Sequence, residues 1–228
     1  MNPEINVNSM FADDVAILAI RPSLEEAEKA TQEAVQVVSE WAKKWKLRLN
    51  ASKSESSFFS TSPSEAAWTP RVEVDGTRIK YEATPSLLGV IFDRTLQFSP
   101  HKDHLIKKIE SKMLILQAVS NIKWGWRKEN LIQIYSAHIN SAIGYSGFTW
   151  LASTAKTHRE RLERPINKVL RCITGQNLAT LREALRLECN IPSLETQTSM
   201  KWQKQQKKHK GYQRTTQENW RMNINNLP

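Results

Sequence analysis

Two apolar runs of strand-forming residues meet at a pair of carboxylates. Ser9-Met10-Phe11-Ala12 runs into Asp13-Asp14, and Val15-Ala16-Ile17-Leu18-Ala19-Ile20 follows. Adjacent aspartates are ordinary at helix starts and in turns, where their short side chains accept bonds from nearby backbone N–H groups. Here the flanks hold neither Gly nor Pro and have the composition of buried strands. The stretch therefore predicts two strands bent at the acidic pair, with both carboxylates at a hairpin tip. Desolvating two neighbouring carboxylates is costly without a compensating cation. A divalent ion such as Mg²⁺ takes carboxylate oxygens and keeps positions open for phosphates, so the stretch reads as half of a two-metal phosphoryl-transfer site.

The charge of the chain is distributed unevenly. Residues 1–100 carry 11 Lys and Arg against 14 Asp and Glu, a net of −3, whereas residues 101–228 carry 22 against 9, a net of +13. A near-neutral half holding the acidic pair is joined to a strongly basic half, which suggests a polyanionic partner, most simply nucleic acid. No apolar run approaches membrane-spanning length, and the N-terminal residues do not read as a signal peptide. Cys172 and Cys189 are too few and too far apart for a zinc cluster or a disulfide framework. They read as reduced thiols of an intracellular protein, nuclear or cytoplasmic.

Behind the acidic pair, residues 22–46 predict a long amphipathic helix. Ser23 and Glu26 have capping-box spacing, Glu25–Lys29 and Glu40–Lys44 are favourable pairs, and Leu24, Ala27, Ala34, Val38, Trp41 and Trp45 mark the apolar face. Residues 47–60 predict a strand, a turn at Asn50–Ser52 and a second strand. Asp75-Gly76 predicts a tight hairpin turn, and residues 86–93 a short buried strand with Gly89 at a close backbone approach. Beyond Ser99 the pattern turns helical. Leu105, Ile109, Met113 and Leu116 define one face of a helix, while His101, His104, Lys107, Lys108 and Lys112 line a polar one. Further helices follow at 128–143 and 158–174, the latter ended by Gly175, and at 180–188, with Thr180 and Glu183 at capping-box spacing. The fold class is thus α+β, an antiparallel hairpin and helix followed by an all-α part. The expected domains are 1–98, a helical domain at 99–197, and a basic tail at 198–228 without apolar periodicity.

The order of these pieces resembles the C-terminal part of the reverse transcriptase of non-LTR retrotransposons, particularly jockey-like elements. Phe11-Ala12-Asp13-Asp14 resembles that family's catalytic box. Residues 47–55 resemble the following Leu-Asn…Lys motif, and residues 87–105 the segment leading into the thumb. Residues 134–151, 166–175 and 184–195 are similar to thumb and post-thumb signatures, so the resemblance covers roughly residues 8 to 197. It implies an RNA-directed DNA polymerase that uses Mg²⁺ or Mn²⁺ and acts on an RNA template and DNA primer. It makes Asp13 a metal-ligating catalytic carboxylate with Asp14 beside it. Lys53 becomes the lysine near the pyrophosphate leaving group, able to donate a proton or screen charge. Leu88 and Gly89 become the primer-grip turn, and His104, Lys107, Lys108 and Lys112 a thumb surface that tracks a duplex backbone.

The resemblance also implies a further aspartate on an upstream palm strand, together with fingers. Only Glu4 precedes Asp13 as an acid. The expectation is a polymerase fragment, inactive alone, with exposed strand edges and apolar surface where its missing half belongs. The alternatives are a non-catalytic module that binds RNA or RNA–DNA duplex, and an unrelated helical interaction domain in which the acidic pair is incidental. His101 and His104 lack a third ligand for zinc and read as part of the polar face.

Overall fold

In a computed structural model, residues 5–120, 125–151, 154, 156–197, 199–200 and 203–204 are described. The chain divides into two compact units, Met1–Leu96 and Gln97–Pro228. All but four positions of the expected basic tail lie outside the described residues.

The first unit opens with antiparallel strands β1 (Ile5–Phe11) and β2 (Asp14–Ile20), in register from Ile5 opposite Ile20 to Phe11 opposite Asp14. Helix α1 (Leu24–Lys44) follows after three residues and packs on β2. Its start is as expected, with the Ser23 side chain accepting the Glu26 N–H. Its end is a Schellman motif. Leu47 N–H reaches Ala42 O at 2.8 Å, Lys46 N–H reaches Lys43 O at 3.0 Å, and Lys46 takes a left-handed φ of 59° where glycine is usual.

The buried face of α1 differs from the sequence expectation. Ala30, Val35, Ser39 and Ala42 are buried, while Trp41 and Trp45 are 44% and 63% exposed. The reason is a polar zipper. Residues 71–75 run extended beside the helix. Glu28 accepts the Arg71 N–H at 2.6 Å, and the Gln32 amide accepts from the Glu73 N–H and donates to its carbonyl. Ser39 and Lys43 both bond the Asp75 carboxylate. Glu28, Gln32, Val35, Ser39 and Lys43 recur at helical spacing, so the small and polar side of the helix is the one covered. Val35 packs with Val72, Val74 and Ile79, and Ile17, Leu49 and Ala51 close that cluster.

The remaining strands are short. They are β3 (Glu55–Ser56), β4 (Glu73–Val74), β5 (Thr77–Arg78), β6 (Lys80–Tyr81), β7 (Ser86–Leu87) and β8 (Val90–Ile91). β4–β5 and β7–β8 are antiparallel hairpins, and β3 pairs with β6 in parallel. Asp75-Gly76 forms the β4–β5 turn with φ of 49° and 77°, the primed geometry that matches strand twist. Two expectations are corrected here. Leu47–Asn50 forms no strand, because its polar groups serve the α1 cap and the turn that follows. Residues 86–93 form a hairpin in place of one buried strand, because Leu88 and Gly89 both turn left-handed.

The second unit is helical: α2 (Ser99–Val119), α3 (Lys128–Tyr135), α4 (Ser141–Gly144), α5 (Gly147–Trp150), α6 (Lys156–Thr174) and α7 (Arg182–Cys189). Leu105, Ile109 and Leu116 of α2 are buried, and α2 packs on α6, whose Leu162, Ile166, Val169 and Leu170 are almost fully covered. The helix expected over 128–143 is interrupted by a π-turn at Ser136–Asn140, an insertion that shifts the packing face by one residue. Gly175 ends α6 with a φ of 68°, as the sequence predicts. Thr180 is not the α7 cap. Leu181 occupies that position, and the Thr180 hydroxyl turns back to Gln176 and Asn177.

Candidate functional site

The acidic pair sits at the hairpin tip. Ala12 and Asp13 form the two-residue turn, and Asp14 is the first residue of β2, opposite Phe11. Ala12 has a φ of 53°, a conformation usually given to glycine in primed turns. Asp13 and Asp14 are both exposed. The two carboxylates leave one backbone corner, Asp13 from within the turn and Asp14 from the first position of β2. Among the described residues, no third His, Cys, Asp or Glu joins them in a group that could hold a metal ion.

Lys53 is placed by Asn50. The Asn50 side-chain oxygen accepts from the Ser52 N–H at 3.1 Å and from the Ser52 hydroxyl at 2.7 Å, while its carbonyl accepts from Lys53 and Ser54 N–H. This Asx-turn explains the spacing between asparagine and lysine. It leaves Lys53 on an exposed corner. Leu88 and Gly89 are exposed at the β7–β8 turn, with φ of 48° and 76°. Both of these features lie in the first unit with the acidic hairpin.

On α2 of the second unit, His104, Lys107 and Lys108 are exposed, and Lys112 is half-buried one turn further along. Spacings of three and four residues set them on one stripe. His101 does not belong to that polar face. It is buried, with its ring 5.4 Å from that of Trp150 in an edge contact. Burial pushes its imidazole below the usual range, and the nearby charges of His104 and Lys108 act in the same direction. Its helical phase shared with the lysines concealed this, because the fully buried Trp150 of α5 packs against its ring. Lys102 is buried beside it, with Nζ donating to Gln97 O at 2.7 Å. An ion pair of 3.1 Å between Asp103 and Arg161 links α2 to α6.

The far end of this stripe carries little signal in the sequence. Lys112, Ile115, Leu116, Trp126, His138 and Ile139 line an apolar groove of about 250 Å³. The exposed Trp126 and the π-turn that carries His138 form its walls. The π-turn leaves no signal in the hydrophobic periodicity. Among the described residues, no helix is long and apolar enough to cross a membrane.

No family profile matches the chain, and no solved structure matches it. Curated proteins do. The chain is 24% identical over 184 residues to the RNA-directed DNA polymerase from mobile element jockey of Drosophila funebris, an alignment covering 81% of this chain and 20% of that protein. It is 24% identical over 198 residues to a probable RNA-directed DNA polymerase from transposon BS of Drosophila melanogaster, covering 87% of this chain and 22% of that one. Against a retrovirus-related Pol polyprotein from type-1 retrotransposable element R1 4 of Nasonia vitripennis it is 28% identical over 173 residues, covering 68% and 44%. The chain thus spans about a fifth of the length of the first two relatives.

Proposed function

From its similarity to the RNA-directed DNA polymerases of jockey-like and R1 non-LTR retrotransposons, we propose that this chain corresponds to the end of a polymerase palm followed by a thumb. The observation that carries the reading is the hairpin turn at Asp13, between two fully paired strands and backed by α1. Asp13 and Asp14 contribute carboxylates to a divalent-metal centre, and Lys53 supplies a cation near the leaving phosphates. The turn at Leu88 and Gly89 meets the primer strand. His104, Lys107, Lys108 and Lys112 hold the backbone of an RNA–DNA duplex formed by template and primer.

The donor set does not fit a two-metal centre by itself. Mg²⁺ requires near-octahedral oxygen ligation, and two carboxylates without a third among the described residues cannot clamp a pair of ions. The chain alone therefore binds nucleic acid without extending a primer. The test combines two assays on the 228-residue chain. Binding to an RNA–DNA hybrid weakens steeply with salt, persists in Asp13→Ala, and weakens in the triple Lys107→Gln, Lys108→Gln, Lys112→Gln variant. Primer extension with Mg²⁺ or Mn²⁺ gives no incorporation. Incorporation that disappears in Asp13→Ala overturns the inactivity, and absence of hybrid binding overturns the nucleic-acid reading.

A further inference from the structure

We infer that the groove at the C-terminal end of α1, lined by Lys43, Lys46 and Arg48, is a second phosphate-binding site that holds a nucleic-acid strand on the palm unit. This rests on the proposed nucleic-acid function and adds a contact outside both the acidic turn and α2.

The groove has a volume of about 650 Å³ and lies between the end of α1, residues 46–51 and the β4–β5 turn. Residues 43–53 hold Lys43, Lys44, Lys46, Arg48 and Lys53 and no acid, within a half of the chain that is otherwise net negative. Lys43 and Lys44 lie in the last helical turn, where the helix dipole alone favours cations. Lys43 is also paired with Asp75 at 2.6 Å. Lys46 and Arg48 are less fully accounted for: Lys46 is one residue past the helix cap, and Arg48 acts on Asp75 electrostatically without an ion pair. They lie beyond the helix, are exposed, and form no ion pair among the described residues. Asp75 is the single carboxylate lining the groove, which leaves a surplus of two positive charges.

Two features make this a built site. Lys46 occupies the left-handed position of the Schellman motif, where glycine would be relaxed, so a cation is held there against backbone preference. The same motif occupies the Ala42 and Lys43 carbonyls near the helix end, which reduces their repulsion of an anion. The groove is also well placed. α1 returns along β2 after a three-residue connection, and Ile17 of β2 packs on the cluster around Val35. The end of the helix thus lies toward the end of β2 that carries Asp14. A strand whose terminus meets the acidic turn can lay its next phosphates on Lys46 and Arg48. Phosphates recognised by lysine and arginine supply affinity without sequence preference.

The experiment measures anisotropy of a labelled RNA–DNA hybrid with the full chain between ~50 and ~300 mM KCl. The double variant Lys46→Gly, Arg48→Gln is expected to reduce the slope of log affinity against log salt by about 1.4 to 1.8, two phosphate contacts. Its thermal midpoint does not fall, since glycine suits the cap. If the α2 triple variant reduces the slope and this double variant does not, the inference fails and the thumb reading stands. If the chain binds no hybrid at all, both fail. Inorganic phosphate separates the two sources of the anion: amide shifts at residues 46–51 on adding phosphate, with an unchanged hybrid slope, would make this a free-phosphate site and overturn the strand assignment.

Discussion

Glu163 and Arg186 form the most enclosed ion pair among the described residues, with side-chain exposures of 18% and 12%. Each partner is also bonded elsewhere. Glu163 accepts the Leu194 N–H at 3.2 Å, and Arg186 donates to Pro192 O at 2.9 Å. One pair therefore ties α6, α7 and the segment after α7. Removing one partner leaves the other charge covered and unpaired, so Arg186→Ala is expected to cost about 3 kcal/mol, read by urea unfolding of the second unit. His101 adds a pH dependence of determined sign. Its folded value lies below the ordinary 6.5 because of burial, so the unfolded chain takes up a proton first. The associated stability is present above pH 6.5 and is lost as pH falls toward the folded value. Unfolding midpoints measured on either side of that range should converge in His101→Phe.

At the scale of elements, α1 shows what the sequence reveals and what it hides. Its bounds, its Ser23 cap and its basic end are legible because caps and charges act locally. Its covered face was not, because aromatic residues dominate an apolar pattern. The real neighbour, residues 71–75, is held by side-chain bonds from Glu28, Gln32, Ser39 and Lys43. Polar residues that bind an extended backbone look like a solvated face until that segment is seen. Gln32→Ala leaves both backbone groups of Glu73 without their partner and is expected to destabilise the first unit by about 1 kcal/mol. Chemical denaturation of the variant checks this. The acidic pair was legible for the opposite reason, since carboxylates between two strand-like runs admit few conformations. Leu88 and Gly89 were placed at a turn through the family resemblance alone; their residue pattern by itself predicted a strand. A leucine at positive φ is not signalled by residue type.

At the scale of the molecule, the chain couples an acidic tip on a unit of net charge −3 to a helical unit of net charge +13. The first unit also carries apolar surface that nothing within it covers. Met10, Phe11, Val15, Leu18 and Ile20 of the β1–β2 hairpin are 38–65% exposed, and Val37, Trp41 and Trp45 form a second stripe on α1. Among the described residues β1 and β2 pair only with each other, so each presents an edge without a strand partner there. Free edges bearing apolar side chains favour association between chains, and like charge opposes it. The first unit itself carries a net charge of only −3, so its apolar edges have little like charge to oppose association. Solubility should therefore be limited by the first unit and should respond to changes there that leave folding intact. Leu18→Lys with Trp45→Lys places two charges on the two exposed stripes, at side chains 43% and 63% exposed. Light scattering is expected to show less association in that variant than in the parent at equal concentration and salt, with an unchanged denaturation midpoint. Persistent association would place the adhesive surface in the helical unit, on the exposed leucines at 178, 181 and 187.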